Sequence, residues 1–128
     1  MHYMLLIYGD PQAEAPPETP PDAFEEWPTA TRVLHEAGVL RGGDGLQGTE
    51  VATTVRFRGS ETLLTDGPFA ETKEQLLGYY LIEVADLDGA LTWARRMPNV
   101  HWGSVEVRPV MAGPASASEV LGEAGSAG

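Results

Sequence analysis

Between Asp66 and Glu74 the chain places three carboxylates, Asp66, Glu71 and Glu74, around Lys73, the only lysine in the sequence. A lysine among carboxylates holds them ionised, whereas an apolar strand alongside raises a carboxylate pKa. The stretch Asp66-Gly67-Pro68-Phe69-Ala70-Glu71-Thr72-Lys73-Glu74-Gln75 runs directly into such a strand, Leu77-Gly78-Tyr79-Tyr80-Leu81-Ile82-Glu83-Val84. The chemistry this supports is general acid/base work or the anchoring of a polar ligand. Asp66 and Lys73 are the candidate catalytic residues, Asp66 as base and Lys73 positioning the substrate. The competing reading has Asp66 capping the Gly67-Pro68 turn and the other charges solvated.

Other polar groups could join that cluster. Tyr79 and Tyr80 each offer an apolar body with a polar tip, so either could orient a ligand, although such a pair also serves as core on one side and interface on the other. Glu106 and Arg108 alternate onto one face of the last strand, where they pair with each other or bind a polar ligand. Tyr80, Glu106 and Arg108 are the candidate substrate-binding residues. His2, His35 and His101 show no metal-ligand spacing, and His35, at a helix end, is placed to meet the last carbonyls. Ser104 lacks the context of a nucleophile elbow. Gly43, Gly45 and Gly48 match the spacing of a dinucleotide loop, but that loop needs a strand before it and a helix after it, and here the order is reversed. No cofactor and no metal are expected.

Composition bounds the answer further. A chain of 128 residues, 42% of them hydrophobic, fits one domain with a real core. It has no cysteine, which excludes disulfides, thiolate metal sites and a cysteine nucleophile. Its formal charge is −11, and six acids lie between Asp10 and Glu26 with no Lys or Arg among them. Such a field repels phosphate backbones, so neither nucleic acid nor an anionic membrane is an expected partner. The first apolar run, Tyr3 to Tyr8, is too short for a signal peptide or a membrane span, and the expected location is cytoplasmic.

The elements that must position these groups follow from periodicity. His2 to Tyr8 is apolar on both alternations and reads as a strand covered on both sides. Proline-rich sequence to Pro21 is a loop. Asp22 with Glu25 resembles a capping box, with a turn at 22–27 and a helix from Pro28 whose stripe is Trp27, Ala30, Thr31 and Leu34; Gly38 stops it. Gly42 to Gly48 reads as a glycine-rich connection. Val51 to Phe57 and Glu61 to Thr65 form a hairpin about Arg58-Gly59-Ser60. Pro68 fixes its exit, and removing Phe69, the one large hydrophobe of that loop, costs on the order of 3 kcal/mol if the ring is buried. Asp86 caps a second helix with Leu87, Ala90, Leu91, Ala94 and Met97 as its stripe, ended by Pro98-Asn99. The last strand spans Ser104 to Val110. Residues 1–111 form the domain, and 112–128, rich in Ala, Gly and Ser, form a flexible tail.

Two helices cover only one face of an antiparallel-rich sheet, yet two strands are apolar on both faces. A second copy supplies the missing cover, so a homodimer is expected.

The blocks Met4 to Asp10, Gly42 to Leu46, Thr65 to Glu74, Gly78-Tyr79-Tyr80 and Gly103 to Pro109 resemble the YCII-related family in its DGPF-type branch, over about residues 1–111. The resemblance implies an α+β fold: a ferredoxin-like unit with an antiparallel-rich sheet, two helices on one face and an inserted β-hairpin, forming a dimeric α+β barrel. That branch is often encoded beside extracytoplasmic-function sigma factors. Better-studied relatives are thought to be enzymes using a histidine and aspartate pair in a cleft; that histidine falls near Trp27 here, which leaves the pair incomplete. Two functions follow as expectations. One is a small-molecule-binding enzyme of lyase, isomerase or hydrolase type, using an acid/base cluster in a dimer cleft. The other is a non-catalytic metabolite-binding or regulatory accessory dimer, linked to such a sigma factor.

Overall fold

The computed structural model describes residues 1–12, 22–100 and 102–112. Its main sheet has four antiparallel strands in the order β2, β5, β1, β6, where β1 is His2–Gly9, β2 is Leu40–Gly45, β5 is Gln75–Glu83 and β6 is Gly103–Pro109. Helix α1, Trp27–Glu36, links β1 to β2, and α2, Leu87–Ala94, links β5 to β6. This is the split βαβ arrangement of a ferredoxin-like α+β fold. Between β2 and β5 are inserted a 3₁₀ turn, Thr49–Val51, and a separate hairpin of β3, Thr53–Arg58, and β4, Glu61–Asp66.

Alternation along the strands decides which face is covered. Tyr3, Leu5 and Ile7 on β1 are buried with Tyr80 and Ile82 on β5 against Ala30 and Leu34 of α1 and Ala90, Ala94 and Met97 of the α2 segment. Both helices lie on this face, and both are small-residue helices where they meet it, which lets their backbones approach the sheet. The opposite face carries Met4, Leu6 and Tyr8, half-buried in the single chain, together with Tyr79, Leu81, Glu106 and Arg108. No described element covers it.

Helix signals are met in part. Gly38 follows α1 at φ 76°, a left-handed position that glycine takes without strain, and the Asp86 carboxylate accepts from the Gly89 N–H at 2.9 Å to cap α2. The expected capping box at Asp22 and Glu25 does not form: Glu26 is the N-cap of α1, with no side-chain cap. Residues 22–24 are instead stitched to the end of α2. Arg96 Nε donates to the Asp22 carbonyl at 3.0 Å, the Phe24 N–H donates to the Arg96 carbonyl at 2.8 Å, and the guanidinium lies 4.3 Å from the Phe24 ring centroid.

Two further expectations are corrected. Gly42 to Gly45 belongs to a strand rather than a connection; pairing with β5 outweighs glycine's weak strand preference, and the glycines are what allow the close approach. A Cβ on Gly43 would meet the Tyr79 carbonyl oxygen at 2.6 Å and Tyr80 Cδ1 at 2.8 Å, and its φ of 150° lies where side chains are rarely accommodated. Phe69 is 77% exposed, its ring 5.2 Å from the Arg56 guanidinium, so it is no anchor within the single chain. The proline-rich loop at 13–21 and the tail from 113 onward lie outside the described residues.

Candidate functional site

A cleft of about 860 Å³ opens between α1 and the β2 edge of the sheet. Helical spacing supplies one wall. Trp27, Thr31 and His35 recur every fourth residue, and Pro28 and Arg32 form a parallel row, so one flank of α1 lines the space while Ala30 and Leu34 enter the core. The other wall is largely main chain, Gly43 to Gly45, and the floor is Ile7, Gly78 and Tyr80. A side chain on Gly78 would run into the Asp44 carbonyl oxygen at 2.7 Å, so the two strands stay close only while it is bare.

Tyr80 anchors the polar chemistry of the floor. Its hydroxyl lies 2.6 Å from Thr31 Oγ1, and Thr31 Oγ1 in turn lies 3.0 Å from the Trp27 carbonyl oxygen. A carbonyl only accepts, so the single threonine proton goes to Trp27 and the tyrosine proton goes to Thr31. The Tyr80–Trp27 carbonyl separation of 3.5 Å is too long to compete. Tyr80 therefore keeps its lone pairs for the cleft. The rings of Trp27 and Tyr80, with centroids 6.3 Å apart and planes at 38°, form adjoining walls of a corner rather than a stack. At the mouth, Asp44 accepts a long bond of 3.4 Å from the Tyr79 hydroxyl, and Arg32 pairs with Glu36 at 3.3 Å.

The residues singled out from sequence divide between the two faces of the sheet. Tyr80 lies on the helix side and lines the cleft. Glu106 and Arg108 come together on the open face, where Arg108 Nε donates to Glu106 Oε2 at 3.0 Å and the Tyr8 hydroxyl reaches Glu106 Oε1 at 3.4 Å. The hydrogen bond and charge of Glu106 hold the Arg108 guanidinium above its ordinary value. A raised cation favours the folded state throughout the acid and neutral range and ceases to do so only as pH climbs past the arginine range. Glu74 joins this band, its carboxylate accepting from Ser104 Oγ at 3.1 Å. Asp66 ends β4 opposite Thr53, exposed, and Lys73 is exposed in the following turn; neither lines the cleft, and among the described residues neither makes a side-chain hydrogen bond or ion pair.

The histidines also part company. His2 Nε2 meets Glu83 at 3.0 Å, His101 lies outside the described residues, and His35 lines the cleft instead of meeting a helix carbonyl. No three His, Asp or Glu side chains among the described residues are grouped to hold a metal ion. Sequence reasoning took Trp27 and Thr31 for core and left Asp44 in a connection; the i, i+4, i+8 spacing of Trp27, Thr31 and His35 was the signal that could have set them apart as a second flank.

Comparison with known proteins agrees with the fold. The family model described as the YCII-related domain matches residues 1–113, and the chain belongs to that family. An uncharacterised protein of Rhizobium meliloti (strain 1021) is 42% identical over 114 residues, covering 86% of this chain and 92% of the relative. No helix among the described residues is long and apolar enough to cross a membrane.

Proposed function

We propose that this YCII-related protein, of the DGPF-type branch, binds a small and largely apolar molecule in the cleft between α1 and β2 and acts on it by proton transfer. The observation that carries this reading is the ordered chain from Tyr80 through Thr31 to the Trp27 carbonyl, which fixes an acceptor at the floor of an otherwise apolar cleft. His35 is the group on the lining suited to exchange a proton, and Tyr80 orients the substrate. Asp66 and Lys73 are assigned no step, because they stand outside the lining.

A second copy enters the proposal through the open face. Met4, Leu6, Tyr8, Tyr79 and Leu81 form an apolar band there, and covering it with the same band of another chain would close a dimeric barrel with Glu106 and Arg108 at its centre.

The test is a fragment screen on the isotopically labelled chain. Hits should shift the resonances of Thr31, His35, Gly43 to Gly45 and Tyr80, and hits confined to the open face would sink the reading. Turnover of a cleft-binding compound that is lost in His35→Gln and Tyr80→Phe supports the enzyme. Binding with no conversion by the unaltered chain supports the accessory reading.

A further inference from the structure

This inference rests on the cleft as a binding site and concerns the class of its occupant. We infer that the cleft takes an organic cation, an ammonium group carried on an apolar body.

The lining is aromatic where an ammonium would sit. Trp27, Tyr79 and Tyr80 all contribute to it, and a ring face attracts a cation held within about 6 Å of its centroid. The polar groups that remain are acceptors. Thr31 has given its proton to Trp27 and taken that of Tyr80, so Tyr80 Oη offers only lone pairs, as does the Asp44 carboxylate. An anion or a bare carbonyl placed there would face lone pairs with no proton between, whereas a cation meets electron density on every side.

Charge points the same way. Among the described residues no lysine or arginine pairs with Asp44. Arg32, the one guanidinium on the lining, is turned to Glu36 at 3.3 Å along the helix. His35 can donate or accept and does not decide the sign of the ligand. The net charge of −11 draws cations toward the surface and raises their local concentration at a negative cleft.

The experiment uses three probes of similar shape on the full chain: phenyltrimethylammonium, its neutral isostere tert-butylbenzene, and the anion benzenesulfonate, followed by calorimetry and by amide shifts. Phenyltrimethylammonium should bind roughly tenfold more tightly than either of the others, with shifts at Thr31, Gly43 to Gly45 and the Trp27 indole. Asp44→Asn should weaken the cation by a similar factor and leave tert-butylbenzene unchanged. Trp27→Leu should weaken the cation even where Asp44 is intact. If tert-butylbenzene or benzenesulfonate binds at the same residues as tightly as the cation, the inference falls and the cleft reading stands. If none of the three shifts those residues, both fall.

Discussion

Tyr80 donates its phenolic proton to Thr31 Oγ1 across 2.6 Å, joining the middle strand of the unit to the flank of the first helix in a bond with a fixed direction. Removing either partner should therefore be felt by the other. Tyr80→Phe should cost about 1 kcal/mol of stability, and Thr31→Val a similar amount, with the double variant costing little more than either alone. Urea denaturation of the four proteins measures the coupling. Fully additive losses would show that the two hydroxyls act independently.

Gly43→Ala should destabilise by about 2–3 kcal/mol, because the methyl would enter the Tyr79 carbonyl and the backbone would be held at an unfavourable φ. Gly45→Ala, two residues along the same strand with open space at its Cβ, should stay within roughly 0.5 kcal/mol of the parent. Thermal melts of the pair separate a bare wall that is required from one that is incidental.

Asn99 has 0% exposure, and its Nδ2 donates to the carbonyls of Tyr8 at 2.8 Å and Ser104 at 3.0 Å. These bonds tie the segment after α2 to the ends of β1 and β6. Asn99→Ala should cost about 2–3 kcal/mol and raise hydrogen exchange at Gly9 and Gly103 before the rest of the sheet. Uniform exchange across all four strands would place the role of Asn99 elsewhere.

Phe69→Ala should cost less than about 1 kcal/mol in the isolated chain, since a 77% exposed ring over Arg56 supplies only a surface cation–π contact. A loss near 3 kcal/mol that grows with protein concentration would reveal a second copy resting on the ring. Light scattering gives the companion measurement, with an expected mass of twice 13.7 kDa for the dimer.

Much of the scaffold could be read before any coordinates. Strands β1, β5 and β6 declare themselves by apolar alternation, and α2 by the spacing of Ala90, Ala94 and Met97 behind the Asp86 cap. Strand β2 escapes because Leu40 to Gly45 has almost no side chains to alternate; its pairing partner, not its own composition, makes it a strand. The site was legible only at Tyr80. Clustering of charges along the chain pointed to Asp66 and Lys73, but residues close in sequence are dispersed by a hairpin that stands apart from the main sheet. Tyr79 and Tyr80, adjacent in sequence, face opposite sides for the same geometric reason. Thr31 and His35 needed the position of β2 before their flank of α1 acquired a facing wall.

The bare β2 wall divides the cleft into a part that substitution can tune and a part that it cannot. Main-chain groups at Gly43 to Gly45 are the same whatever codon is present, and at Gly43 a side chain is refused outright. Retuning what the cleft accepts therefore falls to Trp27, Thr31 and His35, one residue per turn along a single helix. A library randomised at those three positions alone should sample nearly the whole range of ligands this scaffold can hold, with β2 left as the fixed jaw of an adjustable wrench.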